Sequence, residues 1–138
     1  MYPRPQSNSV NAYRQNAAYG GVAAADPHQL ITMLYDGALE RIRSAVGAMA
    51  LRDRQGAAQL IHRAVDIVEE LRGALRPQGD ASIAKNLDDL YDYCGRRLLA
   101  GSLRQQTEPL EEVAGLLREL RAGWVSIKSA ALQLRTGS

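Results

Sequence analysis

Phenylalanine is absent from these 138 residues, and one tryptophan and six tyrosines are the whole aromatic set. Apolar residues still reach 46%, so Leu, Ile, Val, Ala and Met must fill the interior, which is the palette of packed helices. A single cysteine, Cys94, excludes an intramolecular disulfide, and no Cys/His spacing suits a metal. A reducing compartment is the expectation. No uninterrupted apolar run approaches the roughly 18 residues of a membrane span, and no charged start leads into an apolar stretch. A cytoplasmic location without membrane insertion is therefore expected. Lysine is scarce as well, with Lys85 and Lys128 the only two, so arginine carries the positive charge. Seventeen basic and 15 acidic residues are scattered to a net charge of +2, which does not support a nucleic-acid footprint.

The chemistry an enzyme needs is missing too. His28 and His62 are the only histidines, and neither stands beside a nucleophile. His62 on a helix invites comparison with phosphotransfer domains, but no Lys-Gly follows it to admit a phosphate. The pairs Glu69-Glu70, Asp88-Asp89 and Glu111-Glu112 lack the Glu-x-x-His pattern of a di-metal bundle, and solvated helix faces account for them. No Gly-rich phosphate loop occurs. The expectation is a protein that is not an enzyme and takes no cofactor.

What the chain does contain is helical periodicity. Residues 1–25, with Pro3, Pro5, Gly20-Gly21, Tyr2, Tyr13 and Tyr19, read as a flexible arm with room for a short helix around residues 8–18. Residues 26–138 then form one domain. Asp26-Pro27-His28-Gln29 starts a helix, with Asp26 as cap, Pro27 in first position and Gln29 three residues on. Leu30, Leu34, Ala38, Ile42, Val46 and Met49 make its stripe, widened by Ile31, Tyr35 and Ala45, to about Leu51. After a polar break at Arg52 to Gln55, Ala57, Leu60, Ala64, Val68, Leu71 and Leu75 give a second stripe that ends before Pro77. Ile83, Leu87, Leu90, Cys94 and Leu98 give a third, fading at Gly101-Ser102. The fourth starts near Thr107, with Pro109 in its first turn, and steps by three and four from Leu110 through Val113, Leu117, Leu120, Trp124, Ile127 and Ala131 to Leu134. Short connections make neighbours antiparallel, so the expected fold is all-α, an up-down-up-down four-helix bundle behind its arm.

Leu-Tyr-Asp occurs twice, at Leu34-Tyr35-Asp36 and Leu90-Tyr91-Asp92. A phenol on an apolar face needs a partner for its hydroxyl, so such tyrosines favour places where burial is incomplete or another chain arrives. With Ile31, Met33, Ile61, Ile67 and Tyr93 they exceed what a narrow bundle seam needs. The surplus suggests a groove that receives another helix. Self-association through the same face, as a structural or adaptor bundle without a secreted client, is the alternative.

Leu30-Ile31-Thr32-Met33-Leu34-Tyr35-Asp36-Gly37, Asn86-Leu87 with Leu90-Tyr91-Asp92-Tyr93 and Arg96-Arg97-Leu98, then Glu112-Val113, Leu116-Leu117, Leu120-Arg121 and Trp124 resemble the flagellin-specific export chaperones of the FliS family. Ala64, Ile67-Val68 and Glu70-Leu71 fit its pattern too, whereas Asp26 replaces a common serine and Cys94 a larger apolar residue. The resemblance implies a cytosolic chaperone that holds the C-terminal segment of flagellin, keeps it from polymerising and passes it to the flagellar export apparatus. A groove lined by Leu30, Ile31, Leu34, Tyr35, Asn86, Leu87, Leu90, Tyr91 and Tyr93 is expected, with Tyr13 and Tyr19 of the arm covering it in the absence of client. A homodimer is left open.

Overall fold

The structure, a computed structural model, describes residues 26–74 and 81–137. The arm, with Tyr13, Tyr19 and the short helix expected around residues 8–18, lies outside the described residues. Four helices follow in order: α1 (Pro27–Ala50), α2 (Arg54–Ala74), α3 (Ala81–Arg104) and α4 (Glu108–Gly137), with no strand among the described residues. α1 packs on α2 and α4, and α3 packs on the same two, so α1 and α3 face each other only across the core. His28 meets Trp124 and Asp36 meets Arg121, so α1 and α4 pair in opposite senses.

The helix ends follow from local chemistry. Asp26 Oδ1 accepts the Gln29 N–H at 2.7 Å, with Pro27 next to it, as its sequence suggested. α1 ends in a left-handed residue, Arg52 at φ 59°. There the Asp53 N–H reaches the Ala48 carbonyl at 2.9 Å and the Arg52 N–H reaches Met49 at 3.0 Å, the paired bonds of a Schellman motif. Asp53 then caps α2 by accepting the Gly56 N–H at 2.9 Å. The connection is thus shorter than the polar break from Arg52 to Gln55 suggested.

α3 does not stop at Gly101-Ser102. It runs on to Arg104 and closes with a second Schellman motif at Gln105, φ 54°, where the Gln106 N–H bonds to the Gly101 carbonyl at 3.0 Å. Gly101 is a site of close approach: a Cβ there would lie 2.5 Å from Leu110 Cδ1 and 3.0 Å from the Gln106 oxygen. The Thr107 carbonyl accepts the Glu111 N–H as α4 begins, with Pro109 in its first turn.

The core seam is rotated from the stripes read in the sequence. Ile31, Leu34, Tyr35, Ala38, Ile42 and Ala45 are the buried apolar side chains of α1, whereas Leu30, Val46 and Met49 are half-buried. In α2 the seam takes Ile61 and Ile67 and leaves Leu60 half-buried, and in α3 it takes Tyr91, Cys94 and Leu98. Ile31, Tyr35, Ile61, Ile67 and Tyr91 are therefore interior, and the surplus of surface inferred from them largely disappears. In α4, Leu110, Val113 and Leu117 are fully buried, Leu120 and Trp124 pack at the edge, and Ile127 is 60% exposed. The heptad spacing outruns the bundle.

Candidate functional site

The two Leu-Tyr-Asp tyrosines meet in the core. Tyr35 and Tyr91 are 2% and 1% exposed, and their hydroxyls are hydrogen-bonded to each other at 2.7 Å. Burial raises both phenol pKa values above the ordinary 10.0, so both stay neutral. The partner that a buried phenol requires is here a second phenol from the helix diagonally opposite. Cys94 lies in the same interior, its thiol pushed up to about 11 by burial, which leaves it a poor nucleophile.

The other residues expected at the groove divide between core and surface. Ile31 and Leu34 are buried, Leu30, Leu87 and Leu90 are half-buried, and Asn86 is exposed. Because α1 and α3 are diagonal, residues on both cannot line one surface groove while the bundle is closed. Tyr93 does reach the α3–α4 joint, where its hydroxyl donates to Glu112 Oε2, while Arg97 Nε donates to Glu112 Oε1 at 2.7 Å. These two donors, the phenol first and the guanidinium second, hold the Glu112 carboxyl below its ordinary pKa.

The described surface does have an open groove, on the other joint. It lies between α1 and α4 with a volume of about 450 Å³, its floor made by Leu39, Ile42, Val46 and Ala114 and its rim carrying Glu40, Arg43, Glu111 and Arg118. Asp36 stands at its head, bridged to Arg121 at 2.6 Å. Just beyond, His28 and Trp124 form a reciprocal clasp: the Trp124 indole N–H donates to the His28 carbonyl at 2.9 Å, His28 Nε2 lies 2.7 Å from the Trp124 carbonyl, and the rings stack at 4.4 Å. This face is apolar below and charged on both sides. Nothing in it is a nucleophile with its base, and no group of side chains among the described residues could hold a metal. An apolar floor between charged rims is the lining that suits an amphipathic segment.

Leu39 and Ala114 had no place in the sequence reading of a site. The available signal was Leu39, Ile42 and Val46, which repeat by three and four along one edge of the core seam, with Ile42 shared between seam and groove.

The family model described as "Flagellar protein FliS" matches residues 8–131. The chain is 35% identical over 126 residues to the flagellar secretion chaperone FliS of Salmonella typhimurium, covering 91% of this chain and 93% of that one. It is 37% identical over 119 residues to the flagellar secretion chaperone FliSB of Pseudomonas aeruginosa, covering 86% and 94%. With the flagellar secretion chaperone FliS of Bacillus subtilis it shares 30% identity over 131 residues, 95% and 94% of the two chains. No described helix is long and apolar enough to cross a membrane.

Proposed function

The chain belongs to the FliS family of flagellar proteins, and from that membership we propose that it is a cytosolic export chaperone holding the C-terminal segment of flagellin. In this reading the held segment is kept from polymerising until the complex reaches the flagellar export apparatus. A binding protein of this kind needs apolar area on its surface and no catalytic group.

The observation that carries the reading is the α1–α4 groove. Its apolar floor of Leu39, Ile42, Val46 and Ala114 is open, and its rim offers both signs of charge to a passing helix. Burying apolar area yields about 25 cal/mol per Å², and the ordering of a disordered client offsets much of that gain. A wrapped client therefore has reason to use more than one face, and the exposed portions of Leu30, Asn86, Leu87, Leu90 and Tyr93 extend the contact beyond the groove. In this reading Tyr35 and Tyr91 support the bundle from inside, and Tyr13 and Tyr19 belong to the arm that covers the groove.

Calorimetric titration with a flagellin C-terminal segment tests the proposal. Leu39→Glu with Ala114→Glu should weaken binding at least tenfold, about 1.4 kcal/mol, with the helical circular-dichroism signal retained. Unchanged affinity in a folded double variant removes the groove from the mechanism. A mass that rises with concentration and ignores the client would instead favour the self-associating bundle.

A further inference from the structure

The rim of the α1–α4 groove carries a charge pattern that its apolar floor does not require. α1 contributes Glu40 and Arg43, α4 contributes Glu111 and Arg118, and all four are exposed. Glu40 and Arg43 stand one helical turn apart, a spacing at which opposite charges commonly pair. Here they do not, and none of the four forms an ion pair with any described residue.

Helix sense fixes their order. Asp36 meets Arg121 at 2.6 Å at the head of the groove, and α1 runs away from that point as α4 runs toward it. Glu40 therefore stands near the level of Arg118, while Arg43 and Glu111 lie further from the head. Followed from the head, the α1 rim is negative then positive, and the α4 rim is positive then negative. The spacings differ as well, about one turn on α1 and about two turns on α4.

We propose that these four charges select the occupant of the groove: an amphipathic helix of the client whose two flanks each carry one acid and one base, with its acids beside Arg43 and Arg118 and its bases beside Glu40 and Glu111. The inference rests on the reading of the groove as the client's site. Simpler occupants satisfy half of the rim and offend the other half. A helix with acidic flanks gains Arg43 and Arg118 but meets Glu40 and Glu111, a basic one does the reverse, and an anionic surface fares as the acidic helix does. A second copy of this face is another hollow, with no ridge to fill the floor of Leu39, Ile42, Val46 and Ala114. A helix with mixed flanks fills the floor and answers every rim charge.

The test uses the full chain and labelled synthetic helices of roughly three heptads that share one apolar seam. One carries the matching flank charges, and a second of the same composition has every flank sign exchanged. Fluorescence anisotropy should show the matched peptide binding at least tenfold more tightly at about 50 mM salt, with the difference largely gone at about 500 mM. Peptides with all-Glu or all-Lys flanks should fall between the two. Reversing the rim with Glu40→Arg, Arg43→Glu, Glu111→Arg and Arg118→Glu keeps the net charge and should invert the preference, which cancels any difference in the helicity of the peptides. Equal binding of the matched and exchanged peptides to the parent overturns the proposal, and that comparison requires no variant to fold. So does failure of both to bind, a uniform flank that equals the matched one, or a concentration-dependent dimer abolished by Leu39→Glu. The flagellin segment keeps the two claims apart. If Leu39→Glu with Ala114→Glu weakens its binding while the peptides bind alike, the groove reading stands and charge selection falls. If the preference inverts and the segment ignores those two substitutions, charge selection stands and flagellin is not the client of this groove.

Discussion

Removing one hydroxyl from the Tyr35–Tyr91 pair should cost more than removing both. In the parent each buried oxygen has the other as its partner at 2.7 Å, and no buried side-chain polar atom among the described residues lacks one. Tyr35→Phe leaves the Tyr91 hydroxyl alone in an apolar interior, and Tyr91→Phe does the same to Tyr35. An orphaned buried hydroxyl costs about 1–3 kcal/mol, or roughly 3–8 °C in midpoint for a domain of this size. The double variant orphans nothing and keeps both rings, so it should lie within about 1 kcal/mol of the parent. Urea denaturation of the four proteins gives the cycle directly, and the coupling, the sum of the two single costs less that of the double, should be at least about 1 kcal/mol. The same pair predicts alkaline behaviour. A folded phenol pKa above 10.0 means that the stability it contributes is whole below pH 10 and is lost as pH rises through the folded value. The double variant should lose less stability in that range. Because both phenols are interior, it should also bind the flagellin segment as the parent does. Additive single effects would refute the pairing, and loss of client binding in a stable double variant would return these tyrosines to the site.

Arg52 adopts a left-handed conformation with no side-chain partner among the described residues, so Arg52→Gly should raise stability by about 0.5–1 kcal/mol in urea denaturation. Gly101→Ala should act in the opposite direction to helix propensity, lowering stability by about 1–3 kcal/mol, because the new methyl meets Leu110 and the Gln106 carbonyl. A gain would mean that α3 and α4 are not close there. Glu112→Gln should weaken the bundle at neutral pH and flatten its acid dependence. A carboxyl held below 4.5 by Tyr93 and Arg97 contributes stability above that value and loses it as pH falls through the folded pKa.

The helix starts were legible because Asp26, Pro27 and Pro109 act on their own first turns. The four helices were legible because apolar residues repeat by three and four for 20 residues or more. The rotation of the seam was not. On α1 the apolar band includes Leu30 and Ile31, Leu34 and Tyr35, and positions one apart differ by about 100° on a helix of 3.6 residues per turn. Packing against α2 and α4 selected Ile31 and Tyr35 as its centre. The paired phenols were hidden for a different reason: the partner of Tyr35 lies 56 positions away on the diagonal helix, and sequence distance carries no sign of it. Gly101 was read as a breaker because a glycine in a helical stretch usually weakens it, whereas here the missing Cβ admits Leu110.

The placement of the polar contacts explains why the α1–α4 joint in particular stays open. At one end two independent clasps hold the helices, His28 to Trp124 and Asp36 to Arg121. Along the rest of the groove Glu40, Arg43, Glu111 and Arg118 form no ion pair among the described residues, and Leu39 and Val46 are only half-covered. A client entering there breaks no interhelical bond. It need only displace water and order itself, the smallest penalty a folded receptor can impose on a disordered ligand. The α3–α4 joint has the opposite construction. Tyr93 and Arg97 both grip Glu112 at its middle, so opening that side would strip two donors from one carboxylate. The proposed binding on the α1 side of α4 and the rigidity of the α3 side thus rest on one difference: below the Asp36–Arg121 bridge the α1–α4 rim charges are unpaired, whereas at the middle of the α3–α4 joint they are paired.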